Sequence, residues 1–298
     1  MKLHRLTLRN KALFNRYLGL SRHELSVYTF ENIYIWKGLF RIYWVIVRGS
    51  LCVFFQDQIG AFLYLGPLAK QLTLEVIAEI FKLLDGLNRN QEISRIENVE
   101  EKDLEFYRSL GFACSKKSVD YVCLRADLVE LKGNRFKSKR SSLNYFSKNY
   151  EFQYLPFKKT HLGDCLKLYL AWSKERAKSN QDILYQGMLK DSLNALKILL
   201  HNYRSLNCLG RIVKVDKKIK AFTFGFKLNP DTFCILYEIA DLSQKGLAQF
   251  IFREFCSQLQ DFKYINVMDD SGLENLRQVK FSYKPVKLVP AYIVKRGA

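Results

Sequence analysis

No stretch of this 298-residue chain reaches the roughly 18 consecutive apolar residues that a membrane-crossing helix requires. The strongest apolar segment, residues 42–55, is cut by Arg48 and bounded by Arg41 and Asp57, and its β-branched and aromatic content reads as paired strands. The first residues do not read as a secretory signal either: Lys2, His4, Arg5, Arg9 and Lys11 crowd the start, and no unbroken apolar run follows them. The four histidines, His4, His23, His161 and His201, stand far apart and form no metal-ligand spacing. Seven cysteines are scattered without a Cys-x-x-Cys pair, which points to free thiols in a reducing, cytoplasmic setting. A Gly-x-Ser-x-Gly elbow, a phosphate-binding Walker loop and a Gly-x-Gly-x-x-Gly turn are all absent, so the usual sequence signs of hydrolase, nucleotidase and dinucleotide-binding folds are lacking.

Acidic residues are scarce. Against 48 Lys and Arg stand 29 Asp and Glu, a net charge of +19. Such an excess repels itself and signals an anionic partner: nucleic acid, a phosphorylated cofactor or an anionic membrane face. A solvated basic surface with no such partner is the alternative. Hydrophobic residues at 48% and charged residues at 26% are the composition of a folded globular chain, and the length favours two domains of about 150 residues.

A weak internal duplication supports that count. Residues 95–112 and 264–281 align without gaps, pairing Ile96 with Ile265, Leu104 with Leu273, Glu105 with Glu274, Arg108 with Arg277 and Phe112 with Phe281. Glu100 and Glu101 fall opposite Asp269 and Asp270. Each copy reads as a strand, an acidic turn, a short helix and an aromatic that opens the next strand, with acidic groups where the helix dipole favours them. Upstream of the first copy, a strand at 61–65 precedes a helix at 73–87 with Leu74, Ile77, Phe81 and Leu84 on one face. Upstream of the second, a strand at 234–239 precedes a helix at 246–260 with Leu247, Ile251, Phe255 and Leu259 aligned. Between the halves, residues 132–148 hold six basic residues and no acidic one, and Pro156 ends the segment. The expected division is therefore 1–125, a basic linker or helix at 126–150, and 151–298.

This element order resembles the GNAT acyltransferase fold, and Phe106, Tyr107, Gly111 and Phe112 resemble the motif that closes many such domains. Two longer stretches are more specific. Asp120, Tyr121, Asp127, Leu128, Leu131, Gly133, Lys139, Arg140, Asn144 and Phe146 form one; Asp270, Ser271, Gly272, Leu276, Arg277, Lys280, Phe281, Tyr283, Pro285 and Leu288 form the other. Both resemble a bacterial family similar to the C-terminal domain of phosphatidylglycerol lysyltransferases and, more distantly, to Fem-type aminoacyltransferases. The likeness runs from about residue 24 to residue 294. It implies an α/β (α+β) fold class of two tandem GNAT-like domains, each a mixed, largely antiparallel sheet flanked by helices. It also implies transfer of an aminoacyl group from aminoacyl-tRNA, or an acyl group from acyl-CoA, to an amine or hydroxyl such as a phospholipid head group. The donor acts as co-substrate, with no permanently bound cofactor. The chain departs from the family at Val267 and Met268, where relatives carry Arg and Glu. That departure keeps open a non-catalytic, degenerate pair binding tRNA or an anionic membrane, with peripheral attachment to a membrane and no protein partner expected.

Transfer of this kind needs few reactive groups: amides or cations to hold a phosphorylated donor, and a carboxylate or Tyr to move a proton. Ser243, Lys245, Gly246 and Ala248 resemble a GNAT phosphate loop; an ordinary helix start capped by Asp241 or Ser243 fits them equally. The corresponding place in the first half, residues 66–73, lacks the glycine pair. Tyr237 and Glu238 end the preceding strand, and burial of Glu238 would suit it to a general base, whereas strand alternation also permits it to face outward. Asp270 completes the candidate catalytic group. Lys139, Arg140, Asn144, Lys245, Arg277 and Lys280 are the remaining candidate donor or phosphate contacts, with Tyr145 and Phe146 placed to stack or to pack.

Overall fold

In the computed structural model, which describes residues 2–297, the chain opens with β1 (His4–Arg5), α1 (Lys11–Leu18) and α2 (Phe30–Ile35). The apolar run then folds as the hairpin β2 (Arg41–Val47) and β3 (Ser50–Gln56), in register from Arg41 opposite Gln56 to Val47 opposite Ser50. Arg48 and Gly49 both hold positive φ at its two-residue turn. Next come β4 (Ala61–Leu63), α3 (Leu74–Leu87), β5 (Ile96–Glu100), α4 (Leu104–Ser109) and β6 (Phe112–Leu124). On α3, Ile77, Phe81 and Leu84 are buried as the periodicity predicts, with Val76 and Ile80 buried beside them, while Leu74, at the first position, points outward at 53% exposure.

The chain continues with α5 (Arg125–Glu130), α6 (Lys137–Asn149), β7 (Phe152–Pro156), α7 (Leu162–Ser179) and α8 (Ile183–His201). The antiparallel strands β8 (Cys208–Val215), β9 (Lys218–Asn229) and β10 (Thr232–Ala240) follow. Then come α9 (Leu247–Gln258), β11 (Tyr264–Asn266), α10 (Glu274–Phe281) and β12 (Lys287–Arg296). None of the described helices is long and apolar enough to cross a membrane.

Two units emerge, and they differ from the expected division. One comprises the chain up to Asp120, Asp269–Gly272 and everything from Leu288 onward; the other comprises Tyr121–Met268 and Leu273–Lys287. The basic segment at 126–150 is thus no linker. It forms α5 and α6 of the second unit, because Phe146 is fully buried with Val213, Leu247, Phe250 and Ile251. The chain end, assigned from the sequence to the second domain, lies in the first, where β12 pairs antiparallel with β5 through Ala291 opposite Glu100 and Tyr292 opposite Val99. Val294 is buried among Ile96, Val99, Ile77 and Phe81. The repeat is seen in β5 with α4 and in β11 with α10, but Phe281 closes α10 instead of opening a strand.

Within the first unit the strand order is β1-β2-β3-β4-β5-β12 with the part of β6 up to Asp120; within the second it is the rest of β6, then β11-β10-β9-β8-β7. All second-unit pairings are antiparallel except β10 with β11, which run parallel for only three residues, 232–234 against 264–266. Beyond Cys234, β10 keeps its bonds to β9 alone, with a register shift between Ile235 and Tyr237. Replacing Val294 with Ala is expected to cost about 1–3 kcal/mol by leaving a cavity in the first core. Hydrogen exchange should show protection falling in β5 and not in β10; equal loss in both would refute the assignment of the chain end.

Candidate active site at the parting of two strands

Adjacent residues of β10 face opposite sides, so Tyr237 and Glu238 cannot act together. Tyr237 is buried and donates its hydroxyl proton to the Ser192 carbonyl of α8 at 2.8 Å. Burial pushes that phenol far above its ordinary range, and the structure gives it no part in the Glu238 side of the sheet.

Glu238 looks the other way, toward α6 and α9 and the segment around α10. It retains a little solvent access, and among the described residues no hydrogen bond or ion pair holds its carboxyl group. Burial raises its pKa to about 8, against the weaker opposing pull of Lys139 and Lys280. Lys139 of α6 is itself half-buried; its ammonium lies 4.1 Å from the centre of the Tyr283 ring, and desolvation lowers its pKa despite the attraction of Glu238. Lys280 of α10, largely buried, donates to the carbonyls of Val267 and Met268, the latter at 3.1 Å. Tyr283 packs against Phe252 at 4.5 Å with the rings tilted by 48°, and the Glu238 charge adds to the burial that keeps the Tyr283 phenol and the Cys256 thiol protonated. The site is thus one carboxyl group poised near neutrality, with two amines, a phenol and a thiol around it. Tyr283 and Cys256 were not among the expected site residues; each reads in sequence as an ordinary core residue, and only the fold brings them to Glu238.

The remaining candidates have structural partners. Gly246 caps α9 with φ +85, and a Cβ there would lie 2.0 Å from the Ser142 carbonyl oxygen of α6, so glycine is required by close helix packing. Ala248 packs into the same core, and Lys245 lies 4.5 Å over Tyr145. Asp241 binds the Ser243 amide and hydroxyl within the turn, but neither caps the helix. Arg140 donates to the carbonyls of Leu131 and Gly133, satisfying the left-handed end of α5. Asn144 is exposed on α6. Arg277 is exposed and pairs loosely with Glu274 at 3.9 Å. Asp270 belongs to the first unit and accepts the Gly272 amide at 3.0 Å. Among the described residues, no group of His, Cys, Asp and Glu is arranged to hold a metal ion.

A sequence profile described as phosphatidylglycerol lysyltransferase, C-terminal, matches residues 19–295. The chain belongs to this family. A conserved protein of unknown function from Bacteroides thetaiotaomicron VPI-5482 superposes with this phosphatidylglycerol lysyltransferase C-terminal-type chain at TM-score 0.88 and 27% identity, over 99% of both chains. L-PGS from Bacillus licheniformis gives TM-score 0.65 and 16% identity over 96% of this chain and 91% of its own. FemX gives 0.60 and 11% over 98% and 97%. At such identities the last two show the fold alone, which is the tandem GNAT type. No curated protein matches. Membership supports acyl or aminoacyl transfer in the broad sense.

The raised pKa of Glu238 has a consequence for stability. The folded state favours the neutral carboxyl, so its stabilising effect is complete below about pH 4.5 and is lost as the pH rises through about 8. Glu238→Gln cannot ionise, so its advantage over wild type should be small at pH 5 and grow at pH 9. After allowance for solvent access the gain is on the order of 2 kcal/mol, or roughly 5 °C in Tm. Calorimetry across that range checks this; a difference independent of pH would show that Glu238 is ionised throughout.

Proposed function

We propose that the second unit transfers an aminoacyl group from aminoacyl-tRNA to an amine or hydroxyl acceptor, with a phospholipid head group as the acceptor to be tried first, and that Glu238 is its general base. The observation that carries this reading is the Glu238 carboxyl group at the parting of β10 and β11, unbonded, partly open and with a pKa near 8. A base of that strength removes the proton from an attacking ammonium or hydroxyl near neutral pH while remaining easy to reprotonate. Transfer needs no covalent enzyme intermediate: the acceptor nitrogen or oxygen bonds to the acyl carbon as Glu238 takes its proton, and Glu238 passes that proton to the donor's ribose oxygen as the ester C–O bond breaks. Lys139, close enough to perturb Glu238, supplies positive charge for the oxyanion formed on the way.

The packing of Gly246 against Ser142 favours the tRNA ester over acyl-CoA. A pyrophosphate-binding turn needs open backbone around its glycine, and here that side of the glycine is occupied by α6. The exposed cations of a chain carrying +19 suit an RNA donor. Val267 and Met268, standing where relatives have Arg and Glu, favour the second reading: a pair of domains that binds tRNA or an anionic membrane through its basic residues without catalysis.

The two readings separate in one assay. Purified protein is given labelled aminoacyl-tRNA and phosphatidylglycerol vesicles, or a soluble primary amine, and product is counted. Transfer should rise about tenfold per pH unit below pH 8 and level above it, and Glu238→Gln should lower it about 100-fold or more. Saturable tRNA binding with no transfer under any of these conditions would replace catalysis with the binding role.

A further inference from the structure

The first unit holds a separate constellation that the transfer reading does not use. Ser21 and His23 lie between α1 and α2, and the Ser21 hydroxyl is 3.2 Å from His23 Nε2. On the other side of the ring, His23 Nδ1 is 2.7 Å from Oε2 of Glu100, the last residue of β5. Glu100 is buried, which by itself would raise its pKa, yet its hydrogen bonds with His23, with Lys102 at 2.8 Å and with the Glu24 amide at 2.8 Å bring it below the usual carboxylate range. A charged Glu100 can only accept, so Nδ1 carries a proton, and in the neutral ring the Nε2 lone pair then faces the serine hydroxyl. The ring cannot swing away: it stacks on Tyr28 at 4.2 Å and 15°, and Tyr28 is pinned by donating to the Asn98 carbonyl at 2.8 Å.

These groups open onto space. A cavity of about 360 Å³ is lined by Ser21, His23, Tyr28, Lys70, Lys102 and Phe106, among others. Ser21 is exposed, whereas His23 and Glu100 are buried behind it. A histidine serving only to anchor the loop to β5 would need the Glu100 bond, but not an accessible hydroxyl on its far nitrogen at the mouth of a cavity.

We propose that Ser21, His23 and Glu100 form a nucleophilic relay in the first unit that hydrolyses a small ester carrying an anionic group. The oxygen of Ser21 bonds to the ester carbonyl carbon as its proton passes to His23 Nε2. The bond from that carbon to the alcohol oxygen breaks, and His23 returns the proton to the departing alkoxide. Water then adds to the acyl-serine with His23 again taking a proton, the acyl–Ser21 bond breaks, and a carboxylic acid leaves with Ser21 restored. Water is the sole co-reactant. Lys70 brings positive charge to the cavity and selects the anionic end, Lys102 being already paired with Glu100 and Asp103 standing beside it, and Phe106 offers an apolar wall to the acyl chain. Glu100 acts through His23 and is a positioning residue.

The test uses the full chain, without any aminoacyl donor, and an alkyl fluorophosphonate as the probe. Mass spectrometry should find the phosphonyl group on Ser21, and Ser21→Ala should abolish labelling while leaving Tm unchanged, since the residue is exposed. Glu100→Gln should slow labelling at least 10-fold in protein that still melts cooperatively. In parallel, p-nitrophenyl hemisuccinate should be cleaved faster than p-nitrophenyl butyrate, and that preference should vanish in Lys70→Ala. Labelling absent from Ser21 under conditions that label a control serine hydrolase would overturn the proposal, as would ester cleavage unchanged by Ser21→Ala. Because the probe reads serine reactivity and not transfer, either result leaves the reading of Glu238 standing or falling on its own assay.

Discussion

Once β10 and β11 part beyond Cys234 and Asn266, the rest of β10 is bonded on one edge only, and the gap must be filled, hydrated or used. The second unit sets a carboxyl group there. Among the described residues Glu238 has no hydrogen-bond partner, and its burial, against the opposing pull of Lys139 and Lys280, makes the neutral acid competitive with the carboxylate at physiological pH. An ion pair in contact with Lys139 would have removed that property by holding Glu238 ionised. The separation of the two charges, close enough to feel each other but outside bonding range, keeps the group able to accept and release a proton.

The first unit meets the same constraint and closes it. Its parallel pair, β4 and β5, is in register only at Leu63 opposite Ile96. Beyond that point Asn98 turns to φ +51, and its amide donates to the Tyr64 carbonyl. Tyr28 reaches in to donate to the Asn98 carbonyl and accept the Gly66 amide at 3.3 Å. A gap sealed by such bonds admits no acceptor. The strands part in both units; the first fills the gap with side-chain hydrogen bonds, and the second sets a carboxyl group there that keeps a little solvent access. Tyr28, in sealing the first gap, also presents the ring on which His23 stacks, so the sealed copy acquires its own polar cluster at a different place.

Much of this architecture could be read from residue patterns, and the failures have physical causes. Strand and helix order followed from periodicity, because Val76, Ile77, Ile80, Phe81 and Leu84 must share a face to be buried. The destination of β12 could not be read, since alternation in 287–296 identifies a strand but not the edge it pairs with. Glycine at 246 was legible as a necessity, but its cause was not: a turn around phosphate and a carbonyl of α6 lying too close for a Cβ demand the same residue. Glu238 stood out as a charge in an apolar strand, whereas Tyr283, though part of the family-like C-terminal stretch, and Cys256, in an apolar helix, carried no sign of a place beside it.

The basic run at 132–148 shows how composition misleads about where charge is spent. Read as a string, it is a cationic segment awaiting phosphate. Folded, Lys139 turns inward to lie over Tyr283 and lower the pKa of Glu238 against its burial, while Arg140 binds the carbonyls of Leu131 and Gly133. Tyr145 stays exposed with Lys245 over its ring, and Phe146 is core. The basic residues that remain outward on α6 are Lys137 and Lys148. A helix that spends its central charges on the base and on its own chain can still guide an anionic donor with the rest. The consequence is that neutralising Lys139 and neutralising Lys148 are different perturbations: the first raises the Glu238 pKa further and alters chemistry, the second weakens only the long-range attraction that salt would screen.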